Sequence, residues 1–292
     1  KVTMWERTRS SIIKNCNNVN ITIQSGGKNT IVRHGIYRIF NNNFNGGNLS
    51  NNLSKNNTCS SSLIGIVYNS TLNGLSNLSI YTNCTINIST PFLAYLNKIT
   101  LTNCIFQPKS NFNDRYKLSF NNSHLNYCYF NNCTFNGKVT LANHNGFYSS
   151  LFDNCIFEDV NIFPNVLANS DDLISFNNCN IKYSTNNLIY YSPFDYTKGT
   201  FTQVNFTNCI ITNIDNNLKS LIYVYAKPNG YCKFDNCTFS IPNNLTILDG
   251  IKSNNSYIEN FLIDFTNCKL PSTINLISNF YSYNPNIKIT II

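Results

Sequence analysis

Charge is what this 292-residue sequence has least of: Lys, Arg, Asp and Glu together make 12% of it, about half the share usual in globular proteins. Disorder driven by charge is thereby excluded, and with 42% hydrophobic and 14% aromatic residues there is enough apolar surface to build a sizeable core. Long apolar runs are also missing. No segment approaches 18 consecutive apolar residues, which excludes a membrane-spanning helix. The opening residues, Lys1 to Arg7, contain neither an initiator Met nor an apolar signal core, and we read the chain as a processed or excised fragment. Histidine is down to three residues, His34, His124 and His144, which share no ligand spacing, and no C-x2-C occurs. Zinc is therefore not expected, and neither is any other cofactor.

What the chain has in excess is Asn, 57 residues of it, with 12 Cys. An AT-rich coding sequence would raise Asn, Ile, Lys, Tyr and Phe without any structural demand, so composition alone says little. Position says more. Nine of the twelve cysteines directly follow an Asn: Cys16, Cys84, Cys104, Cys133, Cys155, Cys179, Cys209, Cys237 and Cys268. From Cys84 onward the successive gaps are 20, 29, 22, 24, 30, 28 and 31 residues, within the range of one unit of a solenoid.

Around each Cys runs the pattern aromatic-x-Asn-Cys-x-apolar, as in Phe130 to Phe135, Phe152 to Phe157, Phe206 to Ile211 and Phe234 to Phe239, with Tyr81 and Leu101 opening the two earlier units. On a straight strand the residues at Cys−3 and Cys+2 would face opposite ways, because side chains alternate. One bend between them turns both inward together with the Cys. Asn at Cys−1 suits that bend, since it tolerates the left-handed conformation better than other non-Gly residues. A second element follows each motif: Val139-Thr-Leu141, Leu188-Ile-Tyr190, Leu221-Ile-Tyr-Val224, Leu245-Thr-Ile247 and Ile274-Asn-Leu276. No helical period persists anywhere, so the expected fold is all-β: a β-solenoid of about nine to eleven coils with about three short strands in each.

On these residues the sequence resembles the right-handed parallel β-helix of the pectin-lyase-like superfamily, in which left-handed Asn residues at a tight bend stack into a ladder. The residues that carry the resemblance are Asn83, Asn103, Asn132, Asn154, Asn178, Asn208, Asn236 and Asn267. Similar Asn-Cys-x-Phe repeats resemble adhesin-like surface proteins and viral fibre or spike proteins. The resemblance covers roughly residues 75 to 280. Residues 1–74 match poorly, with only Ile13-Lys-Asn-Cys16 repeating the motif and Phe40-Asn-Asn-Asn-Phe44 carrying Asn in place of Cys. We expect a basic N-terminal cap or irregular first coils over 1–74 and a regular β-helix over 75–292.

Parallel strands in register hold successive Cys Cβ atoms about 4.8 Å apart, beyond the roughly 3.5–4.5 Å that a disulfide takes. Cys84, Cys104, Cys133, Cys155, Cys179, Cys209, Cys237 and Cys268 are therefore expected to form a ladder of buried free thiols. Asn48, Asn52 and Asn56 are the better N-glycosylation acceptors, while Asn83, Asn132 and Asn236 lie inside the bend.

Acid–base chemistry on a β-helix would need carboxylates gathered on one outer face. The polygalacturonase motif set resembles this chain only at Asp171-Asp172, and Glu158-Asp159 lies 13 residues away, about half a coil, on another face. Asp153 and Asp235 sit just before the bend and read as turn residues. The densest aromatic stretch with turn chemistry, Tyr190, Tyr191 and Tyr196, is a candidate contact for glycans. Residues 1–113 hold ten Lys and Arg against Glu6 alone. Arg7, Arg9, Arg33 and Arg38 are accordingly candidates for an acidic surface or glycan, with nucleic acid a weaker choice because aromatics are not interleaved there. Ile287-Lys-Ile-Thr-Ile-Ile292 alternates as a strand with an edge to cover, which points to self-association or a neighbouring subunit. The combined expectation is a non-enzymatic structural or adhesive module of an extracellular, cell-surface or virion-surface fibre, filament or adhesin. A tailspike-like polysaccharide depolymerase or lyase, and a glycan-binding module, are the alternatives.

Overall fold

A backbone can bury three side chains at Cys−3, Cys and Cys+2 only by turning between the first two, and it turns at Asn. In the computed structural model, Asn83, Asn103, Asn132, Asn154, Asn178, Asn208, Asn236 and Asn267 all take φ between 51° and 54°, the left-handed region. The structure describes the strands within residues 2–72, together with 79–88, 92–96, 99–108, 115–120, 128–143, 150–163, 172–191, 202–215, 220–224, 229–241, 244–250, 260–278 and 287–292. No helix occurs among the described residues. The strands stack in parallel as a β-solenoid.

Three runs of strand make up the regular coils. The first run precedes the bend, and twelve such strands, from Ser10–Lys14 and Ile36–Phe40 to Asn260–Thr266 and Ile287–Ile291, form one continuous parallel sheet. The second run follows the Cys: Thr85–Ile88, Ile105–Pro108, Asn180–Tyr183, Ile210–Asn213 and Thr238–Ser240. The third is the downstream element of the repeat, in Tyr116–Phe120, Ile189–Tyr191, Ile222–Val224, Leu245–Gly250 and Ile274–Ser278. In two coils the second and third runs fuse into single strands, Thr134–Asn143 and Ile156–Phe163. Where these two pair, Phe135 faces Phe157 and Lys138 faces Asp159, so Asn136 and Gly137 together oppose Glu158 in a bulge. Only Gly fits there: φ is +73°, and a Cβ at Gly137 would come within 2.8 Å of Pro108 Cγ.

The bend does not interrupt the hydrogen-bond ladder. The N–H of each bend Asn from Asn83 to Asn236 donates to the carbonyl preceding the bend in the next coil, as in Asn132 to Asp153 at 2.9 Å and Asn208 to Asp235 at 2.9 Å. The residue after each Cys donates to the Cys carbonyl of the previous coil, as in Ile156 to Cys133 at 2.9 Å. Polar backbone groups at the corner are thereby satisfied without leaving the coil.

The interior is built of columns. Phe130, Phe152, Phe176, Phe206, Phe234 and Phe265 stack face to face at 4.5–5.1 Å with interplanar angles of 4–10°. Phe106, Phe135 and Phe157 form a second stack at 4.6 and 4.5 Å. The two columns meet edge to face, as at Phe152 and Phe157, 5.5 Å and 63°, an arrangement that suits the ring quadrupole. The repeat thus places aromatics on both sides of the bend because each column needs them.

The same first-run sheet continues back through Ile64–Tyr68, Ile36–Phe40 and Ser10–Lys14. Pairing there sets Tyr81 over Val67, Ile39 and Ile13 in turn. Ile39, one residue before the Phe40 chosen from the motif, therefore holds the aromatic's place in that coil. Val2–Trp5, Ile21–Gln24 and Leu49–Asn52 form a separate three-stranded parallel sheet, and Thr71–Leu72 pairs with Thr85–Ile88 of the second run.

Each left-handed Asn should be distinguishable from an ordinary surface polar residue. Asn208→Ala is expected to cost about 1–2 kcal/mol for placing a Cβ-bearing, non-Asn residue at this φ. Asn208→Gly keeps the backbone comfortable and should cost less, losing only the side-chain bonds. Urea denaturation of both variants is the check; equal losses would show that the conformation is not what selects Asn.

Candidate functional site

The Asn side chains that the bend leaves exposed bond to one another along the rod. Asn103 Nδ2 donates to Asn83 Oδ1 at 3.1 Å, Asn132 to Asn103 at 2.8 Å, Asn208 to Asn178 at 3.2 Å, and Asn236 to Asn208 at 2.7 Å. At one level the ladder sidesteps: Asn178 donates to Asp153 Oδ1 at 3.3 Å. Asn154 and Asn267 share the left-handed φ.

Just inside the bend lies the thiol column. Cys84, Cys104, Cys133, Cys155, Cys179, Cys209 and Cys237 are buried, Cys268 half-buried, and none of them forms a disulfide, nor do Cys128 and Cys232. Each Sγ from Cys104 onward sits 3.3–3.6 Å from the carbonyl of the Cys−3 residue in the preceding coil, as Cys155 does from Phe130 O and Cys209 from Phe176 O. A thiol is small enough for the corner and donates weakly to a carbonyl whose strand partner lies elsewhere. Adjacent thiols shift one another's ionisation in opposite directions along the column. The Cys133 thiol, with burial, pushes Cys104 up to about 12, and Cys209 with burial does the same to Cys237. Cys155 and Cys209, each between two thiols that can donate to it, are drawn the other way. Among the described residues no Lys, Arg or His is buried, so no counter-ion is at hand for a buried thiolate.

A cluster that the repeat did not announce lies at the corner between the second and third runs. The Arg115 guanidinium donates to both carboxylate oxygens of Asp159, at 2.7 and 2.8 Å, to the carbonyls of Val139 and Asp159, and to Ser184 Oγ. Ser184 donates its N–H and its hydroxyl to the same carboxylate, at 2.9 and 2.6 Å. Arg115, Val139, Asp159 and Ser184 come from four successive coils, so this is a clamp across them. The Asp159 side chain is 7% exposed and that of Arg115 23%. Arg115 falls outside the motif, and only the stacking register brings it to Asp159.

The other carboxylates are mostly engaged as well. Glu158 Oε2 accepts from the Gly137 N–H at 2.7 Å, Asp235 pairs with Lys233 at 3.3 Å, Asp264 accepts from the Tyr231 hydroxyl at 2.8 Å, and Asp249 from the Gly250 N–H at 2.8 Å. Asp153 and Asp235 do occupy the position before the bend. Asp172 opens a first-run strand while Glu158 and Asp159 lie on the second, so Asp172 is on a different sheet from those two. Asp171 lies outside the described residues.

Tyr190 stands in an outward row on the third run. Its ring is 5.1 Å from Phe163, tilted by 42°, and 5.1 Å from Tyr223, nearly parallel at 18°. Register explains the row, since Ile162, Ile189 and Ile222 pair in sequence and carry the next residue of each strand with them. Tyr190 and Tyr223 stack face to face, while Phe163 meets Tyr190 at a tilt. Tyr191 ends the strand Ile189–Tyr191, and Tyr196 lies outside the described residues. Of the basic candidates, Arg38 lies in Ile36–Phe40, whereas Arg7, Arg9 and Arg33 lie outside the described residues. Asn52 ends Leu49–Asn52, and Asn48 and Asn56 also fall outside. No group of three or more potential metal ligands occurs among the described residues, and no helix there is long and apolar enough to cross a membrane.

Tyr81, Tyr116 and Tyr183 are the fully buried phenols among the described residues. The Tyr116 hydroxyl has no hydrogen-bond partner among the described residues, and burial, with Glu158 adding to it, pushes its pKa well above the usual 10. The folded state favours the neutral phenol, so this contribution is whole below pH 10 and is lost as pH rises beyond it. Tyr116→Phe removes an unsatisfied hydroxyl and is expected to stabilise the fold by about 1 kcal/mol while flattening the stability loss above pH 10. Denaturation midpoints from pH 8 to 11 test both effects. A destabilised Phe variant would show that the hydroxyl has a partner, such as a bound water.

No family model, no curated protein and no solved structure matches this chain in comparisons of sequence and fold.

Proposed function

We propose that this chain is a non-enzymatic rod: a rigid β-solenoid module that spaces and displays surfaces in an extracellular, cell-surface or virion-surface fibre, filament or adhesin. The observation that carries this reading is where the polar chemistry goes. Bend asparagines bond to bend asparagines, thiols to the carbonyls of the coil before, and the best-placed ion pair, Arg115 with Asp159, ties four coils together. Side chains that an enzyme would direct at a substrate are used here to hold one layer on the next. Ile287–Ile291 pairs with Asn260–Thr266 and with no other strand among the described residues, so its second edge can take a further strand, such as one from a neighbouring subunit. The basic residues Arg7, Arg9, Arg33 and Arg38 offer charge to an acidic surface or glycan.

The test is incubation with acidic and neutral polysaccharides, assayed for new reducing ends and unsaturated uronates. The rod reading expects neither; turnover above the buffer control would replace it with the depolymerase or lyase reading. The half-buried aromatic row Phe163, Tyr190 and Tyr223 favours glycan binding as a second role. Glycan-array binding abolished by Tyr190→Ala would support it, and binding unaffected by that change would move the site elsewhere.

A further inference from the structure

The outer face of the second run carries a comb. Its first outward row, read up the rod, is Ile105, Thr134, Ile156, Asn180, Ile210 and Thr238, each paired in register with the next. Ile105, Ile156 and Ile210 are 41%, 46% and 50% exposed. They recur at every second layer, about 9.6 Å apart at the usual strand spacing, with a shorter residue between. Two places along each strand, a second row passes through Asn136, Glu158, Lys182 and Thr212. Lys182 is exposed and makes no ion pair among the described residues, and Glu158 spends one oxygen on Gly137.

We propose that this face is a docking surface for a second copy of the same chain. A twofold axis parallel to the strands, passing midway between the layers of Ile156 and Asn180, keeps each row opposite itself and reverses the order of layers. Under that operation Ile156 meets Asn180 of the second copy, Ile210 meets Thr134 and Ile105 meets Thr238, so every protruding Ile enters the gap between two of its counterparts. The same operation sets Glu158 against Lys182 and Lys182 against Glu158, a quartet of alternating charge on the axis, with uncharged Asn136 opposite Thr212. Sliding the second copy by one layer in either direction, which moves the axis by half a layer, breaks both matches at once: Ile then opposes Ile, and Glu158 or Lys182 opposes its own kind. An interface of this kind is isologous and closes as a dimer, and its charges select the register. It goes beyond the rod reading and involves a different surface from the strand edge at Ile287–Ile291.

Sedimentation velocity on the full chain up to about 100 μM tests it. The expected result is a closed monomer–dimer equilibrium. Ile156→Lys, an outward position that the core does not use, should weaken the dimer by at least about tenfold, and Glu158→Lys or Lys182→Glu alone by about tenfold. The combined E158K/K182E exchange should restore the dimer to within about threefold of the parent, since the twofold keeps opposite charges opposed. A parent chain monomeric throughout overturns the proposal. So does an open-ended series of oligomers indifferent to Ile156→Lys, which would point to the strand edge instead, or a double exchange weaker than either single one.

Discussion

Phe206→Ala is expected to cost about 3–5 kcal/mol of unfolding free energy. Phe206 is fully buried and lies between Phe176 at 4.9 Å and Phe234 at 4.8 Å, its ring nearly parallel to both. Truncation therefore removes two stacked contacts, and the cavity cannot collapse, because the backbone above and below is held by parallel ladders on either side of it. In a solenoid each layer is stabilised mainly by its neighbours, so the loss falls on the interfaces of this coil with the two adjoining ones. Partial unfolding that begins there, read as hydrogen exchange in Thr202–Thr207 rising ahead of the outer coils, is the accompanying sign. A loss below about 1 kcal/mol would mean that the aromatic column fills space without coupling the layers.

The second large effect is expected at Arg115. Removing it leaves a carboxylate in place at Asp159 with only the two Ser184 donors, and an uncompensated buried charge is expensive. Fully buried pairs lose about 3–5 kcal/mol when one partner is deleted; the partial exposure of Arg115 brings the expectation for Arg115→Met to about 2–4 kcal/mol. The combined R115M/D159N variant should recover at least half of that loss, since no charge then remains in the corner. Thermal or urea denaturation of the cycle decides. A double variant as unstable as R115M would place the cost in lost contacts to Val139 and Ser184 and not in the stranded charge.

How far sequence alone leads can be seen by comparing these two residues. Phe206 is legible at once: it stands three before Cys209 like Phe130, Phe152 and Phe176 before theirs, and a pattern repeated eight times names its own core. The bend at Asn is equally legible, because two apolar places of opposite parity around an Asn leave the backbone only one local solution. The fused strands Thr134–Asn143 and Ile156–Phe163 were less so, since the bulge at Gly137 that keeps them in register depends on Pro108 in the coil below. Arg115 was not legible at all. It lies 44 residues from Asp159, in a segment whose length varies from coil to coil, and no spacing rule links them.

Sequence by itself determined that the chain winds, where each turn bends, which residues form the thiol and aromatic columns, and that the fold is all-β, because all of these follow from side-chain parity and short-range backbone preference repeated in a row. Tertiary structure alone decided which layers are clamped, which rings shade one another on the outside, and which outward residues share a row. Those relations depend on how many residues each coil spends before returning to the sheet, and that number is set by packing across layers, to which local chemistry within one layer is blind.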